Sequence, residues 1–169
     1  MKKLFIIFFL VFSSIMFCNE TSEKGLQLIK HYESLFLKTY YCPAHVLTIG
    51  WGHTGKDVSW GLIINENKAI ILLKGDLKVF ETYLNKNTKR ILLQHEYDAL
   101  VDFTYNVGFK IDGIFRDAVN RGDIKLITFF LSKYIYARVK GRETILKGLQ
   151  YRRNSEITLY VKNLVIFYN

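Results

Sequence analysis

The sequence predicts a mainly helical α+β chain in two lobes. A small sheet-bearing lobe spans about residues 22–60, a connecting helix about 65–84 and a larger helical lobe about 88–165, with a cleft between the lobes. Three observations predict this. Two runs rich in β-branched and aromatic residues, Phe36 to Tyr41 and Val46 to Trp51, flank the turn-forming Cys42-Pro-Ala-His45 and read as a hairpin. From Asn65 onward the apolar residues recur at spacings of three and four. Half of the 169 residues are hydrophobic and 15% aromatic, which suits one domain with a substantial core and excludes a disordered chain.

The elements follow in order. Ser22 or Thr21 caps a helix over about Glu23 to Leu35, with Leu26, Ile29 and Tyr32 on one face. After the hairpin, Gly50, Gly52 and Gly55 mark a passage where backbone can approach a neighbour closely. Asn65 caps the connecting helix, whose apolar stripe is Ile70, Leu73, Leu77 and Phe80/Leu84. Leu92 to Val107 is the most hydrophobic helix and stops at Gly108. Its expected start lies earlier than Leu93, with Thr88 as the cap. Shorter helices are expected at about Phe115–Asn120, Asp123–Ala137, Glu143–Asn154 and Ser155–Val165, divided at Arg121-Gly122 and Lys140-Gly141.

Lys2 and Lys3 precede an apolar run from Leu4 to Phe17. As a helix that run reaches about 21 Å, short of the ~30 Å hydrocarbon core. Residues 1–18 therefore read as a signal peptide or signal-anchor, and residues 19–169 as the working domain. The location expected is exported, secreted or periplasmic, or else tethered through an uncleaved anchor. The net charge of +9 and pI near 9.5 point to an anionic partner, and Arg138, Lys140, Arg142, Lys147, Arg152 and Arg153 gather toward the C-terminus. No nucleic-acid-binding motif accompanies that charge, so nucleic acid is not expected as a partner. Cys18 and Cys42 are the only cysteines, and no Cys/His spacing resembles a zinc site.

The chemistry concentrates in Glu33 to His53. Glu33 is placed at a helix end beside Tyr32, Leu35 and Phe36, apolar neighbours that would disfavour its charged form, as a general acid requires. Taken alone it reads first as a solvated surface glutamate and carries almost no information. Cys42 is a small hydrophobe, a half-cystine or, if His45 or the amides of the turn stabilise a thiolate, a reactive group. Thr48 is by itself an ordinary strand residue, and His53 a histidine that holds the glycine turn by a hydrogen bond.

The combination carries more. Glu33, eight residues, Cys42, five residues, Thr48, then Ile49-Gly-Trp-Gly-His53 resembles the phage-type lysozymes, the T4-type endolysins of glycoside hydrolase class 24. Tyr97-Asp-Ala-Leu-Val-Asp-Phe-Thr-Tyr-Asn-Val-Gly108 is similar to that family's core-helix motif, and Gly148-Leu-Gln-Tyr-Arg-Arg153-x-x-Glu156 to its C-terminal one. The resemblance covers about residues 25 to 160. It implies a lysozyme-like fold of two lobes and hydrolysis of the β-1,4 bond between N-acetylmuramic acid and N-acetylglucosamine in bacterial peptidoglycan, with no metal or organic cofactor. Carried over by position, Glu33 is the general acid, Cys42 takes the family's Asp-or-Cys place, and Thr48 positions the water. Trp51, His53, Tyr105 and Asn106 would bind substrate. Arg142 and Arg152 are candidates to pair with Glu33. Trp51 departs from the family's usual Tyr or Ile. A monomer is expected, with transient membrane association only through the N-terminal segment. If that segment stays in the membrane, the resemblance also implies a disulfide between Cys18 and Cys42 that blocks the site until reduction or release. The alternative function is a peptidoglycan-binding relative with little turnover, suggested by the missing second carboxylate.

Overall fold

The computed structural model describes residues 20–139 and 141–162. Among them six helices and two antiparallel hairpins follow in the order α1 (Glu23–Tyr32), β1 (Phe36–Tyr41), β2 (Leu47–Gly50), α2 (Glu66–Asn87), α3 (Gln94–Val107), α4 (Gly113–Arg121), α5 (Ile124–Lys133), β3 (Tyr136–Val139), β4 (Arg142–Ile145) and α6 (Lys147–Tyr160). The predicted α+β, mainly helical architecture is the observed one. No helix among the described residues is long and apolar enough to cross a membrane. Residues 1–18, with the expected leader and Cys18, lie outside the described residues, as does the end of the last expected helix.

The small lobe is built on the β1–β2 hairpin, in which Tyr40 pairs with Thr48 and Tyr41 with Leu47. The chain at 61–64 runs beside β1 as a further extended segment, with Thr39 N–H donating to the Leu62 carbonyl at 3.1 Å and Ile64 N–H to Leu37 at 2.9 Å. Asn65 caps α2 as predicted, accepting from Lys68 N–H at 2.8 Å. The helix then runs its Ala69, Leu73, Leu77 and Leu84 stripe along the core.

Helix α3 is the centre of the molecule: nine of its residues, from Glu96 to Thr104, are buried. Burial all round explains why its sequence shows density rather than a stripe. It does not start near Thr88, which instead ends α2 by donating its N–H to Leu84. The Glu96 carboxylate accepts from Leu93 N–H at 2.8 Å, so α3 needs no hydroxyl cap at its first turn. Gly108 ends it where expected.

Helix α1 is seated on the start of α3. Ser22 N–H donates to Asp98 Oδ1 at 2.9 Å and the Ser22 hydroxyl to Oδ2, while Ser22 also caps α1 by accepting from Gly25 N–H. A Cβ on Gly25 would stand 2.7 Å from Thr21 and 2.8 Å from Asp98, so only glycine lets the two helices approach this closely. The helix ends at Tyr32, three residues before the predicted end, because Glu33 turns extended at φ −102°, ψ 134°.

The sharpest departure lies at 134–146. The expected helix over Asp123–Ala137 stops at Lys133, and the stretch expected to open another helix at Glu143 is strand, with Tyr136 paired to Ile145 and Val139 to Arg142. Tyr136, Val139, Thr144 and Ile145 carry β propensity, and Gly141, at φ 80°, makes the reversal. Helix α6 then passes unbroken through Asn154 and Ser155. The Ser155 hydroxyl bonds the Tyr32 hydroxyl at 2.7 Å instead of capping a new helix.

Candidate active site

Between the lobes lies a cleft of about 490 Å³ walled by Glu33, Trp51, Gly52, Thr54, Asp76, Val79, Phe80, Tyr105 and Asn106. Four of the seven predicted site residues, Glu33, Trp51, Tyr105 and Asn106, are therefore in one wall. Their sources are the end of α1, the glycine turn after β2 and the last turn of α3. Cys42, Thr48 and His53 are not among the residues that wall the cleft.

Glu33 is the C-cap of α1, so its backbone is fixed by the Glu33 N–H bond to Ile29 while its side chain remains 28% exposed. The apolar surroundings expected for it are not what the structure provides: Arg152 Nη1 donates to Glu33 Oε1 at 2.6 Å. Of the two arginines considered from sequence, Arg152 takes this place, and Arg142 stands on the exposed β4 strand. Arg152 is itself buried and clamped from behind. Its Nε and Nη2 donate to the two oxygens of Asp102 at 3.0 and 2.8 Å. These opposite charges and hydrogen bonds outweigh burial and raise the Arg152 pKa further, so the guanidinium stays charged.

Two more charged residues complete this buried cluster. Arg153 donates to Glu156 and, at 3.0 Å, to Asn106 Oδ1. Burial, with Asp102 alongside, pushes the Glu156 carboxyl well above the usual carboxylate range. Arg152 thus holds Asp102 and Glu33, and Arg153 holds Glu156.

Cys42 ends β1, with its N–H bonded to the Val46 carbonyl and its carbonyl accepting from His45 N–H. The N–H groups of Val46 and then Ala44 reach the thiol and, with the Thr48 hydroxyl, hold it below the ordinary thiol range. Of the two stabilisers considered, the amides act, while the exposed His45 ring does not. Thr48 is 3% exposed and its hydroxyl donates to Val46 carbonyl at 2.9 Å, which fixes the side chain that touches the thiol. Tyr40, the cross-strand partner of Thr48, lies within electrostatic reach of both Cys42 and Glu33, so the hairpin and the end of α1 stand near one another.

His53 stands behind the glycine turn. Its Nδ1 meets Asp76 at 2.9 Å and its Nε2 meets Asp57 at 3.2 Å. A neutral ring would aim one lone pair at a carboxylate, so these contacts favour the imidazolium and, against burial, raise its pKa above 6.5. Gly50 and Gly52, at φ 65° and 96°, allow Ile49 and His53 to exchange two 2.9 Å hydrogen bonds around the turn. Trp51, between them, is 4% exposed, with Lys30 Nζ 4.5 Å above its ring. Its carbonyl accepts the Tyr105 hydroxyl at 2.6 Å, a bond that ties the small lobe to α3. Burial pushes the Tyr105 phenol well above its usual value, so it remains a donor.

Sequence reasoning missed Asp102 and Asp76. Asp102 offered a signal, since a carboxylate within Leu100-Val101-Asp102-Phe103 must point inward on any fully buried helix. Asp76 offered none, because its partner lies 23 residues away across a turn.

The family model described as phage lysozyme matches residues 30–156. The endolysin of Acyrthosiphon pisum secondary endosymbiont phage 1 is 37% identical over 142 residues, covering 82% of this chain and 96% of that protein. Two solved structures share the fold with a TM-score of 0.78. One is the endolysin from Escherichia coli O157:H7 phage FAHEc1, 33% identical over 86% of this chain and 95% of that one. The other is the muramidase domain of SpmX from Asticaccaulis excentricus, 28% identical over 85% and 98%. Against the endolysins of Bacillus phages PZA and B103 the chain spans 55% and 53% of the relative's length.

Proposed function

We propose that this chain, which belongs to the phage lysozyme family and is a lysozyme-type glycosidase of bacterial peptidoglycan, cuts the β-1,4 bond between N-acetylmuramic acid and N-acetylglucosamine with Glu33 as general acid. The observation that carries this reading is the position of Glu33. It is the carboxylate on a rigid helix end that opens into the interlobe cleft, gripped by a single N–H of an arginine already paired elsewhere.

In the first half of the reaction the Glu33 proton passes to the glycosidic oxygen as the C1–O bond breaks. On the opposite side, water adds to C1 and gives its proton to the Cys42 thiolate, with the Thr48 hydroxyl orienting the water. The lowered thiol pKa supports Cys42 as the base in place of a second carboxylate. Trp51, Tyr105 and Asn106 shape the cleft that receives the sugar rings, and His53 holds the glycine turn in register. Residues 1–18 serve as leader or tether that carries the domain to the wall.

Glu33→Gln tests the assignment. The variant is expected to fold with an unchanged circular dichroism spectrum and to lose clearing of purified peptidoglycan by at least about 100-fold, the typical worth of a positioned acid. Clearing at the wild-type rate refutes it.

A further inference from the structure

The buried carboxylate of Asp102 is out of contact with the cleft and is not required by the reaction as derived. It lies mid-helix in α3, 0% exposed, with both oxygens spent on Arg152. Two of the three guanidinium nitrogens are thereby directed inward, and Nη1 is left aimed at Glu33 at 2.6 Å. The fork geometry allows no rotation that would keep both Asp102 bonds and move Nη1 away.

This arrangement addresses a requirement of acid catalysis. Glu33 must be ionised after each turnover and protonated before the next. An uncompensated guanidinium at 2.6 Å would hold it ionised. We propose that Asp102 is a positioning residue for the acid: it fixes the Arg152 plane and cancels its charge, so that Glu33 is oriented by Arg152 and still able to take up a proton. The proposal rests on Glu33 being the general acid.

The other groups facing Glu33 do not supply that cancellation. Tyr40 from β1 and Tyr105 from α3 are phenols with raised pKa values and stay neutral. Tyr32, at the end of α1, lies under the Arg152 guanidinium at 5.6 Å. Glu156 on α6 stands 3.8 Å from Arg152 Nε, beyond hydrogen-bond distance, and bonds to Arg153 instead. Among the described residues, Cys42 makes no hydrogen bond to Glu33 and is separated from it by Tyr40, which interacts with both. Among the described residues, Asp102 is the carboxylate that hydrogen-bonds Arg152 besides Glu33 itself.

The test is a double-mutant cycle on Asp102→Asn and Arg152→Gln, read as pH–rate profiles on soluble peptidoglycan fragments with circular dichroism as the folding control. Asp102→Asn is expected to move the alkaline limb of kcat/KM lower by about one pH unit, with a roughly tenfold loss at neutral pH, while KM stays within twofold. Asp102→Glu, which keeps the charge, is expected to leave the limb where the wild type has it. A purely structural role predicts a lower melting temperature and an unmoved limb, and that result overturns the proposal. Should Asp102→Asn not fold alone, Asp102→Asn with Arg152→Gln replaces the buried ion pair by two amides, a change buried pairs often tolerate. Its limb is then compared with that of Arg152→Gln alone. Because Asp102 acts through Arg152, coincident limbs support its role, and a lower limb in the double variant, which would mean that Asp102 acts on Glu33 without the guanidinium, refutes it. Glu33→Gln run in parallel separates the two readings, since full activity there removes the acid assignment itself, whatever the Asp102 variants show.

Discussion

Removing the carboxylate of Asp76 should destabilise the protein in a pH-dependent manner whose sign is fixed by His53. The pair joins the glycine turn of the small lobe to α2 at 2.9 Å, with the His53 side chain 12% exposed and that of Asp76 28% exposed. At such a partly buried site the gross attraction at an effective dielectric near 20 is about 4–5 kcal/mol. Much of it is offset by desolvation, which raises the Asp76 carboxyl above its ordinary range despite the His53 contact. A net value of about 1–2 kcal/mol remains, equivalent to about 3–6 °C in melting temperature for a chain of this size. The His53 pKa is raised above 6.5 in the folded state by its acidic partners. Its stabilisation is therefore fully present below pH 6.5 and is lost as pH climbs through the raised native value. Toward the acid end the pair fails again once Asp76 takes up its proton. Melting curves of wild type and Asp76→Asn between pH 4 and 9 should show the widest gap near pH 5.5–6.5, closing on the alkaline side. A gap that stays constant or widens above neutral pH refutes the ion-pair account.

Two further outcomes are expected. Tyr105→Phe removes the 2.6 Å bond to the Trp51 carbonyl and leaves that buried acceptor unpaired, costing about 1–2 kcal/mol in denaturant unfolding and weakening substrate binding more than turnover; an unchanged KM argues against a tie between lobes. Cys42 should react with iodoacetamide at a rate whose pH midpoint lies below that of a free thiol, with clearing lost in step, and Cys42→Ser, which lacks a thiolate, should clear about tenfold or more slowly; ordinary thiol reactivity, or full activity of the serine variant, removes Cys42 from the mechanism.

What the sequence made legible was the local physics. The hairpin over Phe36–Tyr41, the Asn65 cap and the Gly108 stop each depend on residues within a few positions of one another, and each stands where expected. The 134–146 region misled for the complementary reason. The spacing of three between Tyr136 and Val139 suits a helix face better than one strand face, and the choice of strand falls to Gly141 and to pairing across the turn. Propensity alone could not decide between a helix continuing from α5 and a ribbon leaving it.

The candidate site divides along the same line. Glu33, Cys42 and Thr48 are close in sequence, so a fixed spacing exposes them to recognition. The groups that give Glu33 its environment are not close: Arg152 lies 119 residues away, and Asp102 a further 50 from Arg152. No periodicity can express that juxtaposition, and the apolar neighbours read from the local sequence were replaced by a cation. Yet one trace was available without coordinates. A carboxylate set among Leu100, Val101 and Phe103 of the densest helix has no solvent to face, and a buried carboxylate demands a cationic partner or a proton. The paired arginines Arg152 and Arg153 were the most concentrated candidates near the C-terminus. From that pairing alone, α6 would have to lie against α3, and an arginine with a third nitrogen to spare would then face whatever stood beside them. In this fold that neighbour is the acid at the end of α1.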